Sequence, residues 1–207
     1  AVAKVNGTIK FLPTAEPEAV PDTIRGLTED QVAALPEKDQ ELLEIAAVAG
    51  TTFSVAVMAR ILNRTREVME AEYRELSERT HYLQYAGLRI RPSGRGTPRY
   101  SFVHALYQNV IYDRVDEARR RRLHQMIGER TENAYPGTTE TVAAELAAHF
   151  ERSCDNERAV KYLLQAAQRS FSICAYTETI DYVTKALALA ESLPTTAHRK
   201  EIELNLQ

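Results

Sequence analysis

One window interrupts an otherwise helical periodicity. Between His81 and Phe102, three of the chain's eight glycines and two of its eight prolines fall together, between β-prone runs at Tyr82, Leu83 and Tyr85 and at Arg99 to Val103. Turn formers concentrated between two such runs specify a β-hairpin, with its turn in the segment RPSGRGTP, residues 91–98. The chain on either side reads mainly as helix. Upstream, Asp22 can accept bonds from the free amides of a helix with apolar positions Ile24, Leu27, Val32 and Leu35. Pro36 resets the chain, and Leu42, Leu43, Ile45, Ala46 and Val48 then recur at helical spacing until Gly50 stops them. Ser54 opens a short helix carrying Val57, Ile61 and Leu62, and Thr65 opens a longer one carrying Val68, Met69, Tyr73 and Leu76. A smaller hairpin is expected at the start, where Asn6-Gly7 separates VAKV from TIKF.

Three helices and then a hairpin is the order of a winged helix, placed here at residues 36–103. From His104 onward only helices are readable, at roughly 104–115, 116–134, 139–153, 156–173 and 176–193, with a further start near 198. Their short connections suit an αα array. Within it, AVKYLLQAA at 159–167 aligns with TIDYVTKAL at 179–187, placing Tyr162 over Tyr182 and Ala166 over Ala186. Small alanines let neighbouring helices approach closely. This favours stacked hairpins of tetratricopeptide type, although the offset of 20 residues is not that repeat's period of about 34. The expected fold class is therefore mainly α: a winged-helix domain with a small β-wing, then an α-α superhelical, tetratricopeptide-like array. Four segments follow: 1–35, an N-terminal hairpin and helix; 36–103, the winged helix; 104–138, a helical connector; and 139–207, the repeats.

Composition narrows the function. Lys and Arg number 26 against 29 Asp and Glu, a net charge of −3, so no basic coat for nucleic acid is present. No apolar run approaches the roughly 18 residues that would span a bilayer. The opening AVAKVNGTIK lacks the layout of a signal peptide, and Ala rather than Met at position 1 fits a piece of a longer chain. Two cysteines, Cys154 and Cys174, form neither a disulfide framework nor a metal site, which suits a reducing cytoplasm. No phosphate-cradling G-x-x-x-x-G-K-[ST] loop, H-E-x-x-H, C-x-x-C or G-x-S-x-G occurs, and Gly94-Arg95-Gly96 lacks the third glycine of a dinucleotide site. No catalytic residue, metal ligand or cofactor is expected in this chain.

The phrases VPDTIRGL, LPEKDQELLEIAAVAGTTFS, YSFVHALYQNVIYDRV, EARRRRLHQMIGE, AAELAAHFER and ERAVKYLLQAAQRS resemble the region after the nucleotide-binding core of bacterial STAND signal-transduction ATPases. That family includes LuxR-type regulators such as the maltose activator, and proteins with attached cyclase or kinase domains. The resemblance covers roughly residues 20–193. It implies the order P-loop core, helical lid, winged helix and tetratricopeptide-like sensor, with this chain holding the later parts and residues 1–35 a remnant of core and lid. It also implies ATP or ADP in the parent protein, docking onto the nucleotide-binding core of the same polypeptide, and a protein or small-molecule effector on the repeats. In the family, a histidine at the start of the helix after the last wing strand reaches the β-phosphate of bound ADP. The matching residue in Phe102-Val103-His104-Ala105-Leu106 is His104. Related proteins often carry Asp next, whereas this chain has Ala105, which removes any strut that depends on that carboxylate. Read without the resemblance, His104 caps its own helix or packs on Tyr100.

Arg119, Arg120, Arg121 and Arg122 form the only basic run. Four consecutive residues circle a helix, so at most two share a face, and Asp116, Glu117 and Glu129 flank them; a solvated surface or a partner contact is the expectation. The competing function is a winged-helix DNA-binding module of a transcriptional regulator. Its third helix, residues 65–79, carries three arginines against five glutamates, and the duplex's own charge opposes such a helix. Arg89, Arg91, Arg95 and Arg99 of the wing stand without a basic recognition helix, so a protein hinge is favoured and no nucleic acid is expected. His124 and His149 read as core or boundary histidines.

Overall fold

The computed structural model describes residues 25–90, 94 and 96–192 in full, and the backbone of 2–5, 8–11 and 22–24. The expected Asn6-Gly7 turn, most of the expected hairpin turn with Arg91 and Arg95, and the expected helix start near 198 lie outside the described residues. Strand β1 (Val2–Val5) pairs antiparallel with β2 (Thr8–Phe11), Val5 opposite Thr8. There follow α1 (Asp22–Ala33), α2 (Glu37–Ala49), β3 (Thr52–Ser54), α3 (Val55–Ile61), α4 (Arg66–Arg79), β4 (Leu83–Ile90) and β5 (Gly96–Phe102). The remainder is α5 (Ala105–Arg114), α6 (Glu117–Glu132), a 3-10 turn (Thr139–Thr141), α7 (Ala143–Arg152), α8 (Asn156–Ser172) and α9 (Tyr176–Glu191).

The described chain is thus mainly helical, with the two-stranded β1-β2 pair and a small three-stranded antiparallel sheet in the order β3-β5-β4. Local chemistry sets the helix ends. Gly50 stops α2 at φ +118°, a conformation a side chain would resist. Thr65 Oγ1 accepts from the Val68 amide at the head of α4, Asp116 from Arg119 at the head of α6, and Asp155 from Arg158 at the head of α8. Strand β3 was not foreseen. It is three residues long and is extended because Phe53 registers against Tyr100 of β5, a pairing made by the tertiary fold.

A first core joins α2, α3 and α4 to the sheet through Leu42, Leu43, Met58, Met69, Leu76 and Phe102, and takes in Ile111 of α5 with Leu123 and Ile127 of α6. At its centre the Tyr73 ring lies 5.0 Å from Phe53 and 6.0 Å from Tyr100, and its hydroxyl donates to the Leu42 carbonyl at 3.2 Å. Burial drives the Tyr73 hydroxyl pKa upward, so it remains a donor. Leu27 and Val68, read as apolar helix-face positions, are 60% and 46% exposed. Helical periodicity located the faces, and the exposure of these two reflects the limited width of each buried stripe.

A second core is built by Leu146, Ala147 and Phe150 of α7, Val160, Tyr162 and Leu163 of α8, and the small residues Ala166, Ala186 and Ala190, where α8 and α9 close up. The two turns of this array repeat one another. Cys154 and Cys174 each follow a helix at positive φ, +66° and +60°, and the next amide in each case returns to the helix, Asp155 to Phe150 and Ala175 to Ser170, both at 2.9 Å. A left-handed residue at this position favours glycine by roughly 1 kcal/mol. Both cysteines are free and exposed. Cys154→Gly and Cys174→Gly are each expected to raise stability by about 0.5–1 kcal/mol in urea unfolding, the relief of backbone strain exceeding the added freedom of the unfolded chain.

Candidate functional site

The exit of β5 fixes the start of α5. The Phe102 amide donates to Thr51 and the Val103 amide to Tyr82, both at 2.9 Å, which turns the chain so that His104 becomes the extended residue before the helix, with φ −132° and ψ 140°. The His104 side chain makes no capping bond. Its ring stands edge-on to Tyr107, centroids 6.0 Å apart, and Tyr107 in turn stands edge-on to Tyr82 at 5.1 Å. The imidazole thus neither caps its own helix nor packs on Tyr100, which lies inside the first core. His104 and Ala105 are exposed, and no acidic residue occupies the first turn of α5. No bond to the amides of Ala105 or Leu106 forms among the described residues. A helix start of this kind, with an uncommitted imidazole beside free amides and no carboxylate, presents donors to an anion.

The rest of α5 is anchored firmly. Gln108 donates to the Ala47 carbonyl of α2 at 2.8 Å, and Arg114 to the Glu29 carbonyl of α1 at 2.7 Å. Arg25 pairs with Asp113 at 2.7 Å. The helix that carries His104 is therefore fixed to the first core along its length.

The arginine run is divided among separate tasks. Arg119 pairs with Glu44 at 2.8 Å, with Glu41 at 3.9 Å, and so joins α6 to α2. Arg120 lies 4.7 Å over the Tyr112 ring, Arg121 pairs with Glu117 on its own helix, and Arg122 is exposed without a partner among the described residues. On α4, Arg66 pairs with Glu70 and Arg79 with Asp39, while Arg64 and Lys38 both pair with Glu72. Arg89 of β4 reaches across the molecule, pairing with Glu145 of α7 at 3.3 Å and lying 5.1 Å over the Tyr135 ring.

Two features had no signal in the sequence. A cleft of about 330 Å³ opens between α7, α8 and α9, lined by Ala144, Glu145, Ala166, Arg169, Ile173 and Tyr182. Secondly, the buried His124 and His149 meet: their Nδ1 atoms are 2.9 Å apart, and the Tyr112 hydroxyl lies 3.0 Å from His124 Nε2. Burial pushes both imidazoles down, His124 to about 4 and His149 to about 3. The two residues are 25 positions apart on different helices, so neither spacing nor local composition marks the contact.

Among the described residues, no group of three or more His, Cys, Asp or Glu side chains is placed to hold a metal ion, and no helix is long and apolar enough to cross a membrane. Comparison of the chain with protein-family models, with curated proteins and with solved structures finds no match in any of the three, so the site is read from its own geometry.

Proposed function

We propose that this chain is the regulatory arm of a multidomain signal-transduction ATPase of STAND type, a winged helix that gates the nucleotide state followed by a tetratricopeptide-like sensor. The observation that carries the reading is His104: an exposed imidazole with no capping bond and no hydrogen-bond partner among the described residues, at the head of a helix fixed to the first core. The order α2, β3, α3, α4, β4, β5 supports a winged helix, and the short turns between α7, α8 and α9 support paired repeat helices. With ADP in the parent's core, His104 donates to a phosphate oxygen and holds the arm closed. One charged hydrogen bond of this kind contributes about 1.5–3 kcal/mol, a ten- to hundred-fold preference for the closed state. An effector in the cleft of the array engages Glu145, which also holds Arg89 of the wing, so occupancy there bears directly on the arm.

The second reading is a DNA-binding winged helix. It is disfavoured because Arg66 and Arg79 of α4 are already held by Glu70 and Asp39, and phosphate contacts require free cations. Two binding assays separate the readings. Added in trans to the parent's P-loop core, this chain is expected to bind the ADP-loaded core at least ten-fold more tightly than the ATP-loaded core. Fluorescence anisotropy with mixed-sequence duplex at low salt is expected to show no salt-sensitive binding. Duplex binding that weakens with salt, together with nucleotide-independent docking, would reverse the assignment.

A further inference from the structure

We propose that the Tyr112–His124–His149 chain is a proton-sensitive clamp that holds α7, and with it the helical array, against α6 and α5, and that it releases on acidification. The three groups come from three successive helices and are linked end to end, Tyr112 Oη to His124 Nε2 at 3.0 Å and His124 Nδ1 to His149 Nδ1 at 2.9 Å. Both histidines are nearly sealed from solvent, 1% and 3% exposed. The clamp lies where the two cores meet, since Leu123 and Ile127 of α6 belong to the first and Phe150 of α7 to the second. This inference does not depend on the nucleotide reading.

Two facing Nδ1 atoms form a hydrogen bond only when one carries a proton and the other a lone pair. With both rings neutral, two settings satisfy the chain. His124 donates through Nδ1 while Tyr112 donates to its Nε2; or His149 donates through Nδ1, and His124 Nε2 donates back to the Tyr112 oxygen. The hydroxyl turns to suit either. With both rings protonated, both Nδ1 atoms bear hydrogen, and the 2.9 Å contact has two donors and no acceptor.

The surroundings oppose even the first added proton. Besides burial, the charges acting on the pair are Arg152 of α7 on both rings, Arg120 of α6 on His124, and the His124 imidazole on His149. Nearby carboxylates are engaged elsewhere. Glu41 and Glu44 of α2 are on Arg119, Glu145 of α7 is on Arg89, and Glu129, Glu132 and Asp155 surround Arg158 of α8. The charged residue of α3, Arg60, is exposed. From α5 the group facing the pair is the Tyr112 hydroxyl. Among the described residues no carboxylate acts on either ring, and protons are taken up by opening the clamp. The sign follows: a histidine whose pKa is lower in the closed state than its free value of about 6.5 favours closure above that pH and opposes it progressively below. Between pH 7 and pH 5 each freed imidazole raises the opening equilibrium by about twenty-fold, so release of both raises it by several hundred-fold.

The test uses the full 207-residue chain. Amide hydrogen exchange, corrected for intrinsic rates, is compared at pH 7 and pH 5, and imidazole ¹⁵N resonances are followed over the same range. The α7 amides are expected to lose several hundred-fold in protection while those of α2 and α4 change little, and both rings are expected to titrate below pH 5. In His149→Gln, which removes one of the two titrating rings, the ratio between the two pH values for α7 falls from several hundred-fold to about twenty-fold, the share left to His124. If that variant does not fold, the ring resonances of the native chain still decide. Either ring titrating near 6.5, unchanged α7 protection at pH 5, or loss of protection in α2 and α4 in parallel with α7 would overturn the clamp.

Discussion

Replacing Tyr73 by Ala is expected to cost about 4 kcal/mol in urea unfolding, while Tyr73→Phe costs about 1 kcal/mol. Tyr73 is fully buried, and its ring touches both Phe53 of β3 and Tyr100 of β5. Truncation therefore removes aromatic burial from α4 and leaves a void where helix and sheet meet. The hydroxyl makes a single bond, to Leu42 of α2, so its loss alone is felt only as one hydrogen bond. A loss of this size approaches the whole stability of a small domain. The α4–sheet packing is thus expected to fail first, and β3, held to the fold through Phe53, to lose its pairing with β5.

Gly128→Val is the second large effect, at about 2–3 kcal/mol destabilising. A Cβ at Gly128 of α6 lies 3.0 Å from both Cε1 and Cζ of Phe150. That ring cannot retreat. It is fully buried, stacks on Tyr162 at 5.6 Å and 16°, and carries the Arg158 guanidinium 4.3 Å from its ring centre. Even Gly128→Ala is expected to destabilise, although Ala gains about 1 kcal/mol of helix propensity over Gly. The sign identifies the cause: Phe150→Leu, which draws the ring atoms away, should recover part of the Gly128→Ala loss in a double-mutant cycle. Additive losses would show that the helix contact is looser than the geometry states.

Much of the fold was legible because its signals are local. The start at Thr65, the stop at Gly50, and the apolar periodicity placed the helices within a few residues of where they lie, while the caps Asp116 and Asp155 were not read from the sequence. The cluster of turn formers after Ile90 placed the hairpin. Strand β3 was not legible, since three residues acquire extended geometry only by pairing with β5. The exposure of Leu27 and Val68 was hidden for the same kind of reason: periodicity identifies a stripe, and the neighbouring elements set its width. At the candidate site, His104 could be placed at a helix start from sequence, but its freedom from a cap and its contact with Tyr107 could not. The division of the arginine run depends on where Glu41, Glu44 and Tyr112 come to rest, and the meeting of His124 with His149 depends on the packing of α6 on α7.

The most direct measurement of the proposed role is the rate of ADP release from the proposed parent ATPase, intact and with His104 replaced by Ala, followed by displacement of a fluorescent ADP analogue. Loss of one charged hydrogen bond to phosphate predicts release faster by about ten- to hundred-fold, with ATP release unchanged. An ADP release rate equal to that of the native protein would contradict the assignment of His104 as the group that holds the arm closed.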